Sequence, residues 1–156
     1  MYLVFKLLHV VAVVLFLGNI TTGLLWKAHG DRTGDPRIIA HTMQGIIRSD
    51  RWFTIPGVVV ILLAGFGATG VGQLPILRTG WILWSIVLFT ISGVAFMFRV
   101  APLQRRLLAL AQSATSATDF DAERYRSVSR QWGFWGMVAL VTPAVALVLM
   151  VLKPEI

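Results

Sequence analysis

Two titratable side chains lie in an apolar stretch near the start of the chain, "FKLLHVVAVVLFLGN" (residues 5–19). Lys6 and His9 are three residues apart, so a helix places them on one face. Two interpretations fit His9 by itself. It is either an axial ligand to a haem iron or a proton relay, or else a neutral imidazole that hydrogen-bonds a neighbouring helix. The Lys6 amine is expected to reach the lipid headgroups, and on this face it could also meet a haem propionate.

A second set of polar residues recurs at helical spacing further along the chain: Arg37, His41, Gln44, Arg48 and Arg51. Such a face either binds the carboxylates of a porphyrin or the phosphates of lipid, or is simply solvated beside anionic lipid. Asp50 is expected to be a local charge partner of this stripe.

The other candidate ligands are His41, His29 and Met150. His9 and His41 are predicted near opposite membrane surfaces. Therefore one of them is not a ligand, or there are two sites, or the helix of His41 folds back into the bilayer. His29, in "KAHGDRTGDP", is interpreted as a loop residue. Met150 is predicted at a depth similar to that of His9, and a His/Met pair can ligate haem, although core filling is the commoner role of methionine.

Composition indicates that the solvent of this chain is a bilayer. Of its 156 residues, 56% are hydrophobic and 13% charged, whereas soluble domains carry about 25% charged residues. The absence of cysteine excludes disulfides and cysteine-based zinc or iron–sulfur sites. The net charge of +7 is interpreted as topology signals and lipid contacts rather than as a nucleic-acid surface.

Four apolar stretches are long enough to cross the roughly 30 Å hydrocarbon core as helices. The sequence therefore predicts an all-α, integral membrane four-helix bundle with amphipathic cytoplasmic helical extensions, in a single domain of residues 1–156. The spans are predicted at 3–26, 53–71, 80–98 and 132–152, with cytoplasmic segments at 27–52 and 99–131. No acidic residue falls inside these spans, which argues against a carboxylate-driven ion pump.

The distribution of basic residues predicts the orientation. Eleven Lys and Arg residues lie in the two long segments, against only Arg78 in the turn between spans two and three. The positive-inside rule then places both termini outside, in the periplasm of a bacterial inner membrane. Trp26, Trp52, Trp132 and Trp135 are expected to mark the inner interface.

Local signals define the extensions. Ile39, Met43 and Ile46 belong to an apolar stripe that starts after Asp35-Pro36, a typical helix start. This helix is expected to run into span two, with a bend at Pro56. In the second segment, "SATSATD" (residues 113–119) predicts a flexible loop, with Asp119 capping the next helix.

Several stretches resemble a bacterial integral-membrane family in the superfamily of the CopD-like copper-resistance proteins and the HemJ haem proteins. "FKLLHVVAVVLFLGN" is similar to the HemJ opening, "LLWKAHGD" to the end of its first helix, "RSDRWFTIPGVVVILLAGFG" to the entry of its second helix and "VALVLMVLKP" to its last helix. The resemblance implies haem b as cofactor, His9 as its ligand, and Arg48 and Arg51 as partners of the porphyrin carboxylates. The third span carries no lysine or histidine, unlike HemJ, which argues against protoporphyrinogen oxidation.

The leading hypothesis is a haem-b protein of the inner membrane with a redox or porphyrin-handling role, in which the cofactor site comprises His9, Lys6, Arg48, Arg51 and His41. A haem-dependent oxidoreductase acting on a porphyrin or a quinone-type molecule fits this hypothesis. One alternative is a CopD-like metal or small-solute transporter, which would need to form a homo-oligomer to enclose a path. The other is an accessory or structural membrane protein without chemistry.

Overall fold

The computed structural model describes residues 1–114 and 119–155, and every regular element within them is helical. In chain order the helices are α1 (Tyr2–Thr33), α2 (Pro36–Ser49), α3 (Ile55–Val71), α4 (Gly80–Ala95), α5 (Ala101–Gln112) and α6 (Ala122–Leu152). They combine into four helical rods that are long and apolar enough to cross a membrane: Tyr2–Thr33, Pro36–Val71, Gly80–Gln112 and Ala122–Leu152. The predicted all-α membrane bundle is confirmed.

The link between α1 and α2 contains the helix start that the sequence predicts at Asp35-Pro36. Gly34 adopts a φ of 66° and ends α1, a left-handed conformation that glycine adopts without strain. Asp35 then caps α2 by accepting a hydrogen bond of 2.8 Å from the Arg37 amide, and Pro36 opens the helix. The apolar stripe of α2 is buried against α1 and α5, which confirms the predicted amphipathic helix.

Both long central rods contain one π-helical turn, and each turn lies just before a proline. The turn Asp50–Thr54 joins α2 to α3 before Pro56, and the turn Phe96–Val100 joins α4 to α5 before Pro102. Proline lacks an amide proton, and its ring collides with the carbonyl four residues earlier in a regular helix. A widened turn relieves both problems. Thus α2 runs into the second rod as predicted, and α5 continues the third rod directly.

Two buried serines join α4 to α6. Ser92 donates a 2.7 Å hydrogen bond to the Ala139 carbonyl, the group that Pro143 cannot pair with because it has no amide proton. Ser85 donates to the Ala146 carbonyl at 3.2 Å. Ser92 therefore also satisfies the carbonyl that the proline inside α6 would leave without a hydrogen bond.

The start of α6 lies two residues later than its predicted cap implies. Asp121, not Asp119, is the N-cap, and it accepts a 3.0 Å hydrogen bond from the Arg124 amide. The loop predicted at residues 113–119 lies largely outside the described residues, which omit 115–118.

Candidate functional site

A cavity of about 400 Å³ lies at the end of the bundle where the two termini meet, between α1, α3, α4 and α6. Its walls are mostly apolar, and they include Val13, Ile61, Phe89 and Leu147. The side chains in its lining that can bind a charged or metal group include those of Lys6, His9, Met150 and Lys153. Ligand cavities of proteins commonly have this size and this composition, with few polar groups on an apolar wall.

His9 is oriented by a hydrogen bond to the neighbouring helix. Its Nδ1 lies 2.8 Å from the main-chain oxygen of Ile61. Because a carbonyl oxygen only accepts, the proton must reside on Nδ1, and in the neutral ring Nε2 keeps its lone pair. This arrangement, in which one nitrogen is held by a carbonyl and the other is available, is the usual one for a metal-binding histidine.

Gly65 lets the imidazole pack directly on α3. A Cβ atom at this position would lie 3.1 Å from both Cε1 and Nδ1 of His9. This separation is tighter than a normal packing contact, so any larger residue would push the ring away from Ile61. The glycine is therefore part of the device that orients His9.

Two amines and one thioether also line the cavity. Lys6 comes from α1, whereas Met150 and Lys153 come from the end of α6. The Lys153 Nζ lies 5.4 Å from the centre of the Trp81 ring, a cation–π contact at the same cavity. The site thus combines a nitrogen and a sulfur donor with two cations.

The structure brings together only part of the predicted site. Lys6 and His9 line the same cavity, whereas Arg48, Arg51 and His41 do not line it; all three are exposed on α2 and the π turn that follows it. His29 lies within α1 rather than in a loop, because α1 continues to Thr33, and it is exposed.

The family model described as "Predicted integral membrane protein (DUF2269)" matches residues 3–154. The chain belongs to this family. No curated protein and no solved structure matches the chain.

In this DUF2269 protein, a buried polar cluster that the sequence did not predict surrounds Asp50. Its Oδ1 accepts hydrogen bonds from Asn19 Nδ2 at 3.1 Å and Thr54 Oγ1 at 2.8 Å, and its Oδ2 accepts one from Gln104 Nε2 at 2.7 Å. Asn19 Oδ1 in turn accepts from the Ser49 hydroxyl. The expectation that Asp50 pairs with the arginine stripe was wrong, because its carboxylate faces the bundle and is 7% exposed.

Asp50 is an acidic residue inside one of the four long helical rods, where the sequence predicted none. Asp50 belongs to the continuous apolar rod Pro36–Val71, so an acidic residue is buried among the long helices after all. The signal that could have found it is Asn19, an amide in the middle of an apolar helix, which requires a polar partner from another helix.

A second polar cluster that the sequence did not predict links α1 to α6. Lys27 is 3% exposed, and its Nζ lies 2.5 Å from Asp31 Oδ2 and 2.6 Å from Ser129 Oγ. The hydroxyl of Tyr125 donates to Asp31 Oδ1 at 2.6 Å. The Lys27 amine also lies over the rings of Tyr125 and Trp132, at 5.3 and 5.2 Å. Trp132 is 5% exposed, so it packs inside the bundle rather than marking an interface.

Proposed function

We propose that the protein binds haem b in the cavity between α1, α3, α4 and α6, where His9 Nε2 would hold the iron. One observation carries the proposal: the Ile61 carbonyl holds Nδ1, which leaves the Nε2 lone pair in an apolar cavity of about 400 Å³. A haem in such a site would supply a one-electron redox centre in the membrane.

The donor set of the cavity fits haem better than a free metal ion. Among residues 1–114 and 119–155, no group of three His, Cys, Asp or Glu side chains could hold a metal. Haem iron needs only one or two protein ligands because the porphyrin supplies the other four. Met150 lines the same cavity as His9 and would be the candidate for a second protein ligand of the iron.

The two lysines of the cavity suit the rest of a haem. Propionates are carboxylates, and Lys6 and Lys153 are the cations that line the site. Together with the resemblance of "FKLLHVVAVVLFLGN" to the HemJ opening, this charge pattern supports a redox or porphyrin-handling role. Arg48, Arg51 and His41 are omitted from the proposed site because they are not part of the cavity wall.

The absorption spectrum of the purified protein tests the proposal. Expressed with ample haem and purified in detergent, the wild type is expected to show a Soret band and about one haem per chain in a pyridine haemochromogen assay. His9→Ala is expected to lose at least about nine-tenths of this haem, because the iron loses its nitrogen ligand. A colourless wild type, or a band unchanged in His9→Ala, would refute the proposal.

A matched pair of glycine variants in α3 keeps the test valid if His9→Ala folds poorly. Gly65→Ala places a methyl group 3.1 Å from the His9 ring, whereas a Cβ at Gly70 meets nothing within 4 Å. Gly65→Ala is expected to shift the Soret band or lower haem occupancy, while Gly70→Ala retains the wild-type spectrum. Equal spectra for the two variants would contradict the role assigned to His9.

The transport alternative has less support in the structure. Ala12, Phe16 and Ile61 form a buried apolar cluster, two members of which, Phe16 and Ile61, line the cavity. The Phe16 ring contacts that of Phe89 at 5.6 Å between ring centres. Within the described residues, this apolar cluster lies between His9 and Asn19 along α1 and so separates the cavity from the Asp50 cluster. Haem binding therefore accounts for the cavity better than passage of an ion or a solute does.

We further propose that the termini face the periplasm of a bacterial inner membrane, in accord with the basic residues of α2, α5 and the start of α6. The absence of native cysteine allows a direct test. In intact spheroplasts, a membrane-impermeant maleimide is expected to label Glu155→Cys, whereas Ser127→Cys should react only after the membrane is opened. Both wild-type positions are exposed, so the reverse pattern would show the opposite orientation.

A further inference from the structure

The Asp50 carboxylate has one acceptor position left over. A carboxylate offers about four lone-pair sites, and Asn19, Thr54 and Gln104 occupy three of them. Two of these bonds go to Oδ1 and one to Oδ2, so the free position is on Oδ2. Asp50 is buried, and a buried acceptor normally finds a donor.

A donor without a partner lies nearby. Trp132 is 5% exposed, and its Nε1 is the one buried side-chain nitrogen or oxygen without a hydrogen-bond partner among the described residues. Leaving a buried N–H unpaired is costly. Native structures therefore usually pair such a group with protein or with internal water.

A small cavity adjoins both groups. Asp50, Gln104 and Trp132 line a space of about 20 Å³, together with Gly23 and Ile46. A cavity holds a water molecule once it offers about 10–15 Å³ and at least two polar partners. This one is too small for a metabolite, and its walls provide a donor and a free acceptor.

We infer that this cavity is a binding site for a single internal water, which accepts a hydrogen bond from Trp132 Nε1 and donates one to Asp50 Oδ2. The water completes the hydrogen bonding of both groups with one molecule. A bound sodium ion does not fit equally well, because Asn19 and Gln104 direct amide N–H groups at Asp50 and Trp132 contributes only a donor.

The site has a structural consequence for the bundle. Trp132 packs its ring against the Lys27 amine, while the water connects its nitrogen to Asp50. Through this residue, the Lys27–Asp31 pair of α1 with its α6 partners, and the Asp50 cluster, become one polar core. This inference is independent of haem binding, since none of these residues lines the large cavity.

Indole NMR in lipid nanodiscs tests the inference. The chain has six tryptophans, and Trp132→Phe identifies the Trp132 signal by its loss. If that variant does not fold, single replacements of the other five assign the signal by elimination. In the wild type, the Trp132 indole proton is expected to lie downfield, in the hydrogen-bonded range, with a dipolar cross-peak to a long-lived water.

A pair of alanine variants in α1 supplies the control. Gly23→Ala fills the small cavity without a clash, since its Cβ would lie 3.7 Å from Ile46 Cγ2, whereas a Cβ at Gly18 meets nothing within 4 Å. Gly23→Ala is expected to abolish the water cross-peak and move the indole proton upfield; Gly18→Ala should change neither. A wild type without the cross-peak, a cross-peak that survives in Gly23→Ala, or a sodium-dependent shift of the signal would overturn the inference.

Discussion

Asp31→Ala is expected to lower the free energy of unfolding by about 3 kcal/mol, the lower end of the usual cost of removing one partner from a buried ion pair, because the Asp31 side chain is itself 29% exposed. The side chain of Lys27 is 4% exposed, so without Asp31 its amine would lose its counter-charge inside the bundle and, among the described residues, would keep Ser129 as its side-chain acceptor. The Tyr125 hydroxyl would also lose its acceptor. Reversible unfolding by SDS in mixed micelles measures the loss.

Three further variants separate charge from shape at this site. Asp31→Asn keeps an acceptor for Tyr125 but removes the counter-charge of Lys27, so it should be intermediate in stability. Combining it with Lys27→Met removes both charges, and the pair should recover much of the loss. Glu123→Ala, at an exposed acidic residue in the first turn of α6, should change stability by about 0.5 kcal/mol or less. An Asp31→Ala protein as stable as this control would refute a buried ion pair.

Asp50→Ala should cost at least about 3 kcal/mol, because each buried donor left without an acceptor costs about 1–3 kcal/mol. Asn19 and Gln104 both donate amide protons to this carboxylate, and both would lose that acceptor. The same micelle titration measures the change.

Two milder variants provide the comparison for Asp50→Ala. Asp50→Asn retains one oxygen, and Gln104 can rotate its amide to present an oxygen to the new amide NH2 group. This variant should therefore lose only about 1 kcal/mol of unfolding free energy. Arg51 is exposed on the same π turn, and Arg51→Ala should be close to neutral. If Asp50→Ala and Arg51→Ala had equal effects, the carboxylate would not be organising a buried network.

These sites follow one another along the inward face of α1. Lys6 and His9 line the large cavity, Asn19 joins the Asp50 cluster, and Lys27 pairs with Asp31 and α6. An apolar layer around Phe16 separates the first site from the second. The Asp50 cluster and the Lys27–Asp31 site both join neighbouring helices. A ligand in the cavity would therefore bind to a bundle whose helices are already held in place.

Local sequence patterns were sufficient for the spanning helices and for the start of α2, but not for the end of α1 or the start of α6. Apolar length predicts spanning helices because a backbone in lipid must satisfy its own hydrogen bonds. The pairing of Lys6 with His9 on one face also follows from spacing alone. The cap at Asp35 could be predicted because an N-cap bond forms between residues two or three positions apart. The face shared by Lys6 and His9 and the cap at Asp35 each depend on residues within one turn of helix.

The sequence by itself thus determined a bilayer-embedded, all-helical chain with a histidine in its first helix. Only the tertiary structure decided that Met150 and Lys153 line the same cavity as His9, and that Gln104 reaches Asp50 across a separation of 54 residues. Apolar periodicity states which residues avoid water, but in lipid nearly every face of a helix is apolar. The rotation and axial register of each helix are then set by small side chains and by hydrogen bonds between distant residues, and these partners cannot be identified before the helices are packed.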